Sequence, residues 1–256
     1  MKTAVFQFYG SGDLLNNRKN IIRGIEKSAE NGVRLLVFQE CALCGYVPVE
    51  TKDITEIDFQ LLEVLEKEIE ALSKKHNMYI SFGTIRRQGN DYYNCLKIAS
   101  PSGESIEPYD KRALWGWDSE NFKRGKNSGI YEIDGIKIGF RICFEIRFPE
   151  YFRELYKSKV KLCFVSFCDV SNKPSEERYN VIKSHLITRA VENVMTVISV
   201  NSISNFQTAP TAVISQNGTV ISEAPKDEPF LLIYDYTIPE ISFGMEGRMK
   251  NSDMLM

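Results

Sequence analysis

Nucleophilic chemistry has few places to reside in this chain. Its 256 residues include six cysteines, at 41, 44, 95, 143, 163 and 168, but only two histidines, His76 and His185. Cys143 stands apart from the other cysteines. It closes the run Ile136, Ile138, Phe140, Ile142, whose alternation marks a strand, and a helix opens close behind it at Phe148-Pro149-Glu150. A turn from strand to helix can expose a sulfur at a sheet edge, and Arg147 with the helix start would favour thiolate over thiol. A buried structural thiol would look much the same, so a partner base has to decide. Both histidines fall on predicted helices far from each other, which makes a carboxylate the better base. Glu40 ends VRLLVFQE, an apolar run suited to burial on both faces of a sheet, at the carboxyl end where open sheets present reactive groups. Alone, Glu40 reads as a solvated loop residue. Lys111, in EPYDKRALWGWDSENFKRG, lies between a strand and a segment with two tryptophans, and alone it reads as a surface lysine.

Other chemistries find little support. No histidine has an i+4 histidine or a cysteine pair at ligand spacing, so no metal site is expected. Cys41-Ala-Leu-Cys44 is one half of a redox or zinc motif without a second half or a thioredoxin-like context. Phosphate loops of the form GxxxxGK[ST], a GxGxxG turn and the GxSxG serine elbow are all missing. Net charge is −2, with 32 basic residues spread along the chain, which argues against nucleic-acid or acidic-membrane partners. The N-terminal apolar run is too short for a signal segment, and no later run approaches a membrane span, so a cytoplasmic protein is expected. Six cysteines are too sparse for a disulfide scaffold and fit free thiols.

The elements that must position Glu40, Lys111 and Cys143 follow from periodicity. Strands are predicted at 3–8, 33–38, 78–85, 92–99, 130–133, 137–142, 161–167, 195–201, 211–215, 219–222 and 230–236, and helices at 16–31, 59–76, 148–158 and 175–194. Asp134-Gly135 and Asn217-Gly218 mark hairpin turns. Helices alternate with strands, yet several strands come as hairpins, so an α/β protein with mixed sheets inside and helix layers outside is expected. No repeat or long linker divides the chain, which reads as a single domain over 1–256. The tail at 245–256 has no clear periodicity and reads as extended or as packing on a partner.

Taken together, three stretches are familiar: VFQE (37–40) followed by Gly45-Tyr46 and Pro48, Tyr-x-Lys (109–111), and IC-x-x-IRFPE (142–150). They resemble the nitrilase, or carbon–nitrogen hydrolase, superfamily, with its Glu-Lys-Cys triad in this chain order. The likeness extends to DSENFxxG (118–125), TRAVEN (188–193) with Asn201, Gln7, and SQNG (215–218), and spans nearly the whole chain up to about Tyr236. The chain departs from the family pattern at Gln39 and Arg124, where members usually have proline. The fold implied is an α-β-β-α sandwich with two mixed central sheets. The activity implied is hydrolysis of a non-peptide carbon–nitrogen bond, best a small linear amide, through a cysteine thioester and without a cofactor. In that reading Glu40 is base and acid, and Lys111 and the backbone N–H of Phe144 hold the oxyanion. Glu120 orients Lys111. The resemblance also implies a homodimer or larger assembly.

Substrate contacts are expected from Tyr46, Trp115, Trp117, Arg147 and the stretch 168–178, although the tryptophans suit packing as well as a substrate. Alternatives within the family are an N-carbamoyl-amide hydrolase, a nitrilase or an acyltransferase. Outside it, a non-catalytic binding protein on the same scaffold and a thiol redox protein using Cys41 and Cys44 stay open.

Overall fold

In the computed structural model, which describes residues 1–255, strands and helices build two six-stranded mixed sheets packed face to face, with helices outside both. The first part of the chain runs β1 (Lys2–Gln7), α1 (Leu14–Glu30), β2 (Leu35–Phe38), α2 (Phe59–His76), β3 (Tyr79–Gln88), β4 (Asp91–Ala99), β5 (Tyr109–Asp110) and the short α3 (Trp117–Asn121). The second part runs β6 (Ile130–Ile133), β7 (Ile136–Ile142), α4 (Pro149–Lys157), β8 (Leu162–Phe167), β9 (Val170–Ser171) and α5 (Glu176–Asn193). It closes with β10 (Thr196–Asn201), β11 (Phe206–Gln207), β12 (Ala212–Ile214), β13 (Val220–Glu223), β14 (Phe230–Asp235) and α6 (Phe243–Met254). One sheet has the order β14-β1-β2-β3-β4-β5 and the other β13-β12-β10-β8-β7-β6, with β9 and β11 forming a separate ribbon. Strands β1, β2 and β3 are parallel, as are β7, β8 and β10, and hairpins add antiparallel strands at the edges.

The period of two along each strand sorts side chains into three cores. Val5, Leu35 and Val37 point between the sheets and meet Ile138, Phe140, Leu162, Phe164 and Ile198 there. Their neighbours Ala4, Phe6, Leu36 and Phe38 point outward against α1 and α2. On the other side Cys163, Val165 and Phe167 pack under α4 and α5. This is why β2 and β8 read as unbroken apolar runs: each is covered on both faces. Polar caps fix where the main helices begin, with the Asp13 carboxylate accepting from the N–H groups of Leu15 and Asn16, and Asp58 from Gln60 and Leu61. Pro149 opens α4, where its missing N–H costs nothing. Between the sheets, the buried Ser166 hydroxyl donates to the Phe38 carbonyl at 2.9 Å and pins β8 to β2.

The C-terminal segment corrects one expectation. It is a helix, α6, and not extended, held by the buried Met245 and by the Tyr156 hydroxyl, which bonds to the Met249 carbonyl and the Asp253 carboxylate. Its apolar residues do not line up on one face, which hid it from a periodicity search. No helix among the described residues is long and apolar enough to cross a membrane.

Candidate active site

Glu40 lies just past the end of β2 and Cys143 just past the end of β7, so each sheet delivers one of them from an interior strand. Lys111 follows β5 at the edge of the first sheet. Its backbone is fixed on both sides: its N–H donates to the Asn94 carbonyl at 2.8 Å, and its own carbonyl accepts from Gly125 at 3.0 Å. Gly125 has no substitute there, because a Cβ would sit 2.1 Å from the Asp110 carbonyl oxygen. Gly83 plays the same part under Glu40, where a Cβ would meet the Cys41 nitrogen at 2.3 Å and the Gln39 carbonyl at 2.4 Å. These close approaches let β3 and the loop after β5 crowd against the carboxylate.

Lys111 Nζ is the hub. It donates to Glu40 Oε1 at 2.7 Å and to Asp118 Oδ2 at 2.7 Å, and all three side chains are at most 2% exposed. Asn94 Nδ2 also donates to Glu40 Oε1 at 2.7 Å, and the N–H of Cys168, at the end of β8, reaches Glu40 Oε2 at 2.9 Å. The Tyr46 hydroxyl donates to Asp118 Oδ1 at 2.8 Å, and the ammonium lies 5.5 Å from the Tyr46 ring centre. The family resemblance implied that the lysine's second carboxylate would be Glu120. The side chain that meets Lys111 is Asp118 instead, because the first turn of α3 points Asp118 inward and leaves Glu120 exposed.

Electrostatics follow from burial. Desolvation raises the Glu40 carboxyl, Lys111 opposes it, and the nearby Asp118 adds to the rise, so the net shift is upward. Burial alone would lower Lys111, but Glu40, Cys143 and Asp118 outweigh it and hold the ammonium charged well above its ordinary range. Burial and the Glu40 charge push the Cys143 thiol well up, against a smaller opposing pull from Lys111. This reverses the expectation that Arg147 and a helix start would favour a resting thiolate: the dominant influences are desolvation and a neighbouring anion. A thiol held protonated beside a carboxyl of raised basicity is a pair built to pass a proton.

Cys143 itself adopts φ of +44°, a left-handed conformation that costs a non-glycine residue of order 1–3 kcal/mol. The tight turn that follows it, Cys143–Arg147, is anchored from α5, where Arg189 Nε donates to the Ile146 carbonyl at 3.0 Å. That contact gives the TRAVEN segment a purpose. Asn201, at the end of β10, exchanges hydrogen bonds with the backbone of Asp169, which in turn grips Arg178 at 2.7 and 2.8 Å.

The sulfur opens on a cavity of about 390 Å³ lined by Tyr46, Trp115, Phe144, Arg147, Cys168 and Arg178, among others. Of the residues expected to touch substrate, Tyr46, Trp115, Arg147 and, from the 168–178 stretch, Cys168, Asp169, Val170 and Arg178 line this cavity. Trp117 does not: it packs edge-on against Phe122 at 5.3 Å, in the core under the first sheet. Trp115 is 74% exposed and stacks near Phe144 at the cavity rim. Arg147 pairs with no carboxylate among the described residues and lies 5.9 Å from the Phe144 ring centre. Cys41 and Cys44 are fully buried, and burial, then contact with Cys44, raises the Cys41 thiol well above its ordinary range. Among the described residues no cluster of three or more His, Cys, Asp or Glu could hold a metal ion. Asn94 and Asp118 escaped the sequence reading. An asparagine inside the otherwise apolar stretch of β4 was the available signal for the first.

Known proteins resemble this chain in sequence and in fold. The chain is 29% identical to the 2-oxoglutaramate amidase of Bacillus subtilis (strain 168) over 211 residues, 80% of this chain and 78% of that one. It is 26% identical to an omega-amidase of Danio rerio over 169 residues, 62% of this chain and 59% of the relative. Its fold superposes on an amidase from Nesterenkonia sp. AN1, captured with acrylamide added at the active-site cysteine, with a TM-score of 0.82, 20% identity and 93% coverage of both chains. Residues 2–242 match the carbon-nitrogen hydrolase family model, so the chain belongs to the carbon–nitrogen hydrolase family.

Proposed function

We propose that this protein hydrolyses a small linear amide to a carboxylate and ammonia through a thioester on Cys143. What carries the reading is the buried Lys111 ammonium held between Glu40 and Asp118 beside a cysteine that opens on a cavity. Glu40 takes the thiol proton as the sulfur attacks the amide carbon, forming the C–S bond. The negative charge that develops on oxygen is met by Lys111 and by the N–H of Phe144. Collapse of the adduct breaks the C–N bond, and the proton on Glu40 leaves with ammonia. Glu40 then takes a proton from water, which attacks the thioester; the C–S bond breaks as the acid forms, and the proton passes from Glu40 to the departing sulfur. Asp118 holds Lys111 in place and, with Glu40, keeps it charged, the role first expected of Glu120.

The acyl group is inferred to carry a carboxylate. One relative is named for an amide of that kind, 2-oxoglutaramate, and Arg147 on the cavity wall, unpaired among the described residues, offers a cation to receive the carboxylate. The same reading takes the chain as one cytoplasmic domain that works as a homodimer or larger assembly. Exposed Val181 on α5, and Phe243 and Leu255 in and after α6, supply apolar surface for it.

Ammonia release from paired amides of equal length, one ending in methyl and one in carboxylate, tests both parts. Cys143→Ala is expected to abolish turnover, and alkylation mapping of the six cysteines is expected to find Cys143 fastest. Hydrolysis of neither series, together with an inert Cys143, refutes the hydrolase reading. Equal turnover of both series refutes the carboxylate preference alone.

A further inference from the structure

We infer that Glu145 is a positioning residue that sets the spacing between Lys111 and Cys143. The inference rests on the hydrolase reading above. Glu145 is fully buried two residues after the nucleophile, and no arginine or lysine pairs with it among the described residues. Its carboxylate instead accepts four hydrogen bonds from neutral donors on two separate segments. Oε1 takes the N–H of Arg112 at 2.6 Å and, more weakly, that of Ala113 at 3.4 Å. Oε2 takes the N–H of Ile142 at 2.7 Å and the Tyr109 hydroxyl at 2.7 Å. Tyr109, Arg112 and Ala113 flank Lys111, and Ile142 directly precedes Cys143. One side chain thus clasps the backbone on either side of the lysine to the backbone that launches the sulfur.

The carboxylate form matters for this clasp. An ionised carboxylate is acceptor-only, with two equivalent oxygens and about four lone-pair sites, which matches the four donors here. Burying a carboxylate is costly unless its oxygens are hydrogen-bonded, and here the donors of both segments supply those bonds. A glutamine has a single acceptor oxygen, so its NH₂ must face either the Arg112 N–H or the Ile142 N–H, and one side of the clasp opens. Aspartate keeps both oxygens on a stem one methylene shorter.

The consequence is a split between two reactions of Cys143. Alkylation by iodoacetamide draws on the Glu40–Cys143 proton transfer, whereas amide turnover also needs Lys111 at the oxyanion. In Glu145→Gln the expected result is a kcat lower by about 10- to 100-fold. Cys143 alkylation should change by less than about threefold, and KM should move little. Glu145→Asp should recover part of kcat. A folded Glu145→Gln protein with kcat within twofold of wild type overturns the inference. So does a parallel fall of turnover and alkylation that tracks a lowered Tm, which is what a merely structural carboxylate would give. Should Glu145→Gln fail to fold, Tyr109→Phe carries the test, since it removes one of the four donors and leaves the backbone bonds. A kcat lower by about three- to tenfold at unchanged alkylation supports the clasp, and an unchanged kcat overturns it. If wild-type Cys143 neither turns over amides nor alkylates ahead of the other cysteines, the hydrolase reading itself has failed, an outcome separate from these.

Discussion

Asp118→Asn is the substitution that most directly tests how Lys111 is held. Asp118 lies 2.7 Å from the ammonium and Glu40 lies 2.7 Å on its other side, with nothing in the burial of either to screen them. Asparagine has nearly the same shape, so the cavity is not remodelled, but the second negative charge disappears and the ammonium is drawn toward Glu40 alone. A hydrogen bond to a charged group contributes roughly 1.5–3 kcal/mol. If that support is felt fully when the oxyanion forms, kcat/KM should fall by about 10- to 150-fold, at one decade per 1.36 kcal/mol. Glu120→Gln is the matched control: an exposed carboxylate with no part in the network should change activity by at most about twofold. The assay is ammonia release at a fixed pH on the plateau, with circular dichroism melts to confirm folding. The argument is refuted if the two variants lose activity equally, or if Asp118→Asn retains more than half of wild-type kcat/KM.

Other expectations follow from the same geometry. Glu40 must be ionised to accept the thiol proton, and its carboxyl is raised above the ordinary 4.5, so kcat/KM should fall on the acid side with a midpoint above that value. In Asp118→Asn the repelling neighbour is gone, so that midpoint should move to lower pH; a shift upward contradicts the assignment. Tyr46→Phe leaves Asp118 Oδ1 without its donor and should cost about 1–3 kcal/mol, read as a lower kcat/KM in the same assay or as a lower melting temperature. Gly83→Ala forces a methyl into the backbone beside Glu40 and should cost about 1–3 kcal/mol or more, read as a fall in Tm of at least about 2 °C together with loss of turnover.

The sandwich was legible in the sequence because β2, β7, β8 and β10 each announce themselves by apolar runs or alternation, and the helices by residues such as Ile21, Ile25, Leu62, Leu65 and Ile69 on single faces. Cys143 stood out because it closes a recognisable strand, whereas Glu40 and Lys111 alone read as loop and surface residues and were singled out by the resemblance of their stretches to a known family. The shift from Glu120 to Asp118 was not, since whether one carboxylate or another two residues away turns inward depends on where a five-residue helix begins, and Gly116 at its start takes φ of +56°. Asn94 and Glu145 stayed hidden for a similar reason. Each acts through contacts dozens of residues away along the chain, such as Asn94 to Glu40 and Glu145 to Arg112, which no local pattern records. Trp117 stayed open between packing and substrate contact in the sequence, because an aromatic near Lys111 carries no mark of whether it faces ligand or core.

Glu40 and Lys111 belong to one sheet and Cys143 to the other, and the layers meet through an apolar interior and through polar contacts that include Ser166 to Phe38, Cys168 to Glu40 and Glu145 to Tyr109 and Arg112. Turnover is therefore a ruler laid across the gap between the layers. A sub-ångström slide of one sheet over the other would leave every strand and helix intact, and far-ultraviolet dichroism unchanged, yet would separate sulfur from carboxylate. Under rising pressure, denaturant or heat, activity should fade before secondary structure does, and the interval between the two losses would measure how firmly the halves are keyed together.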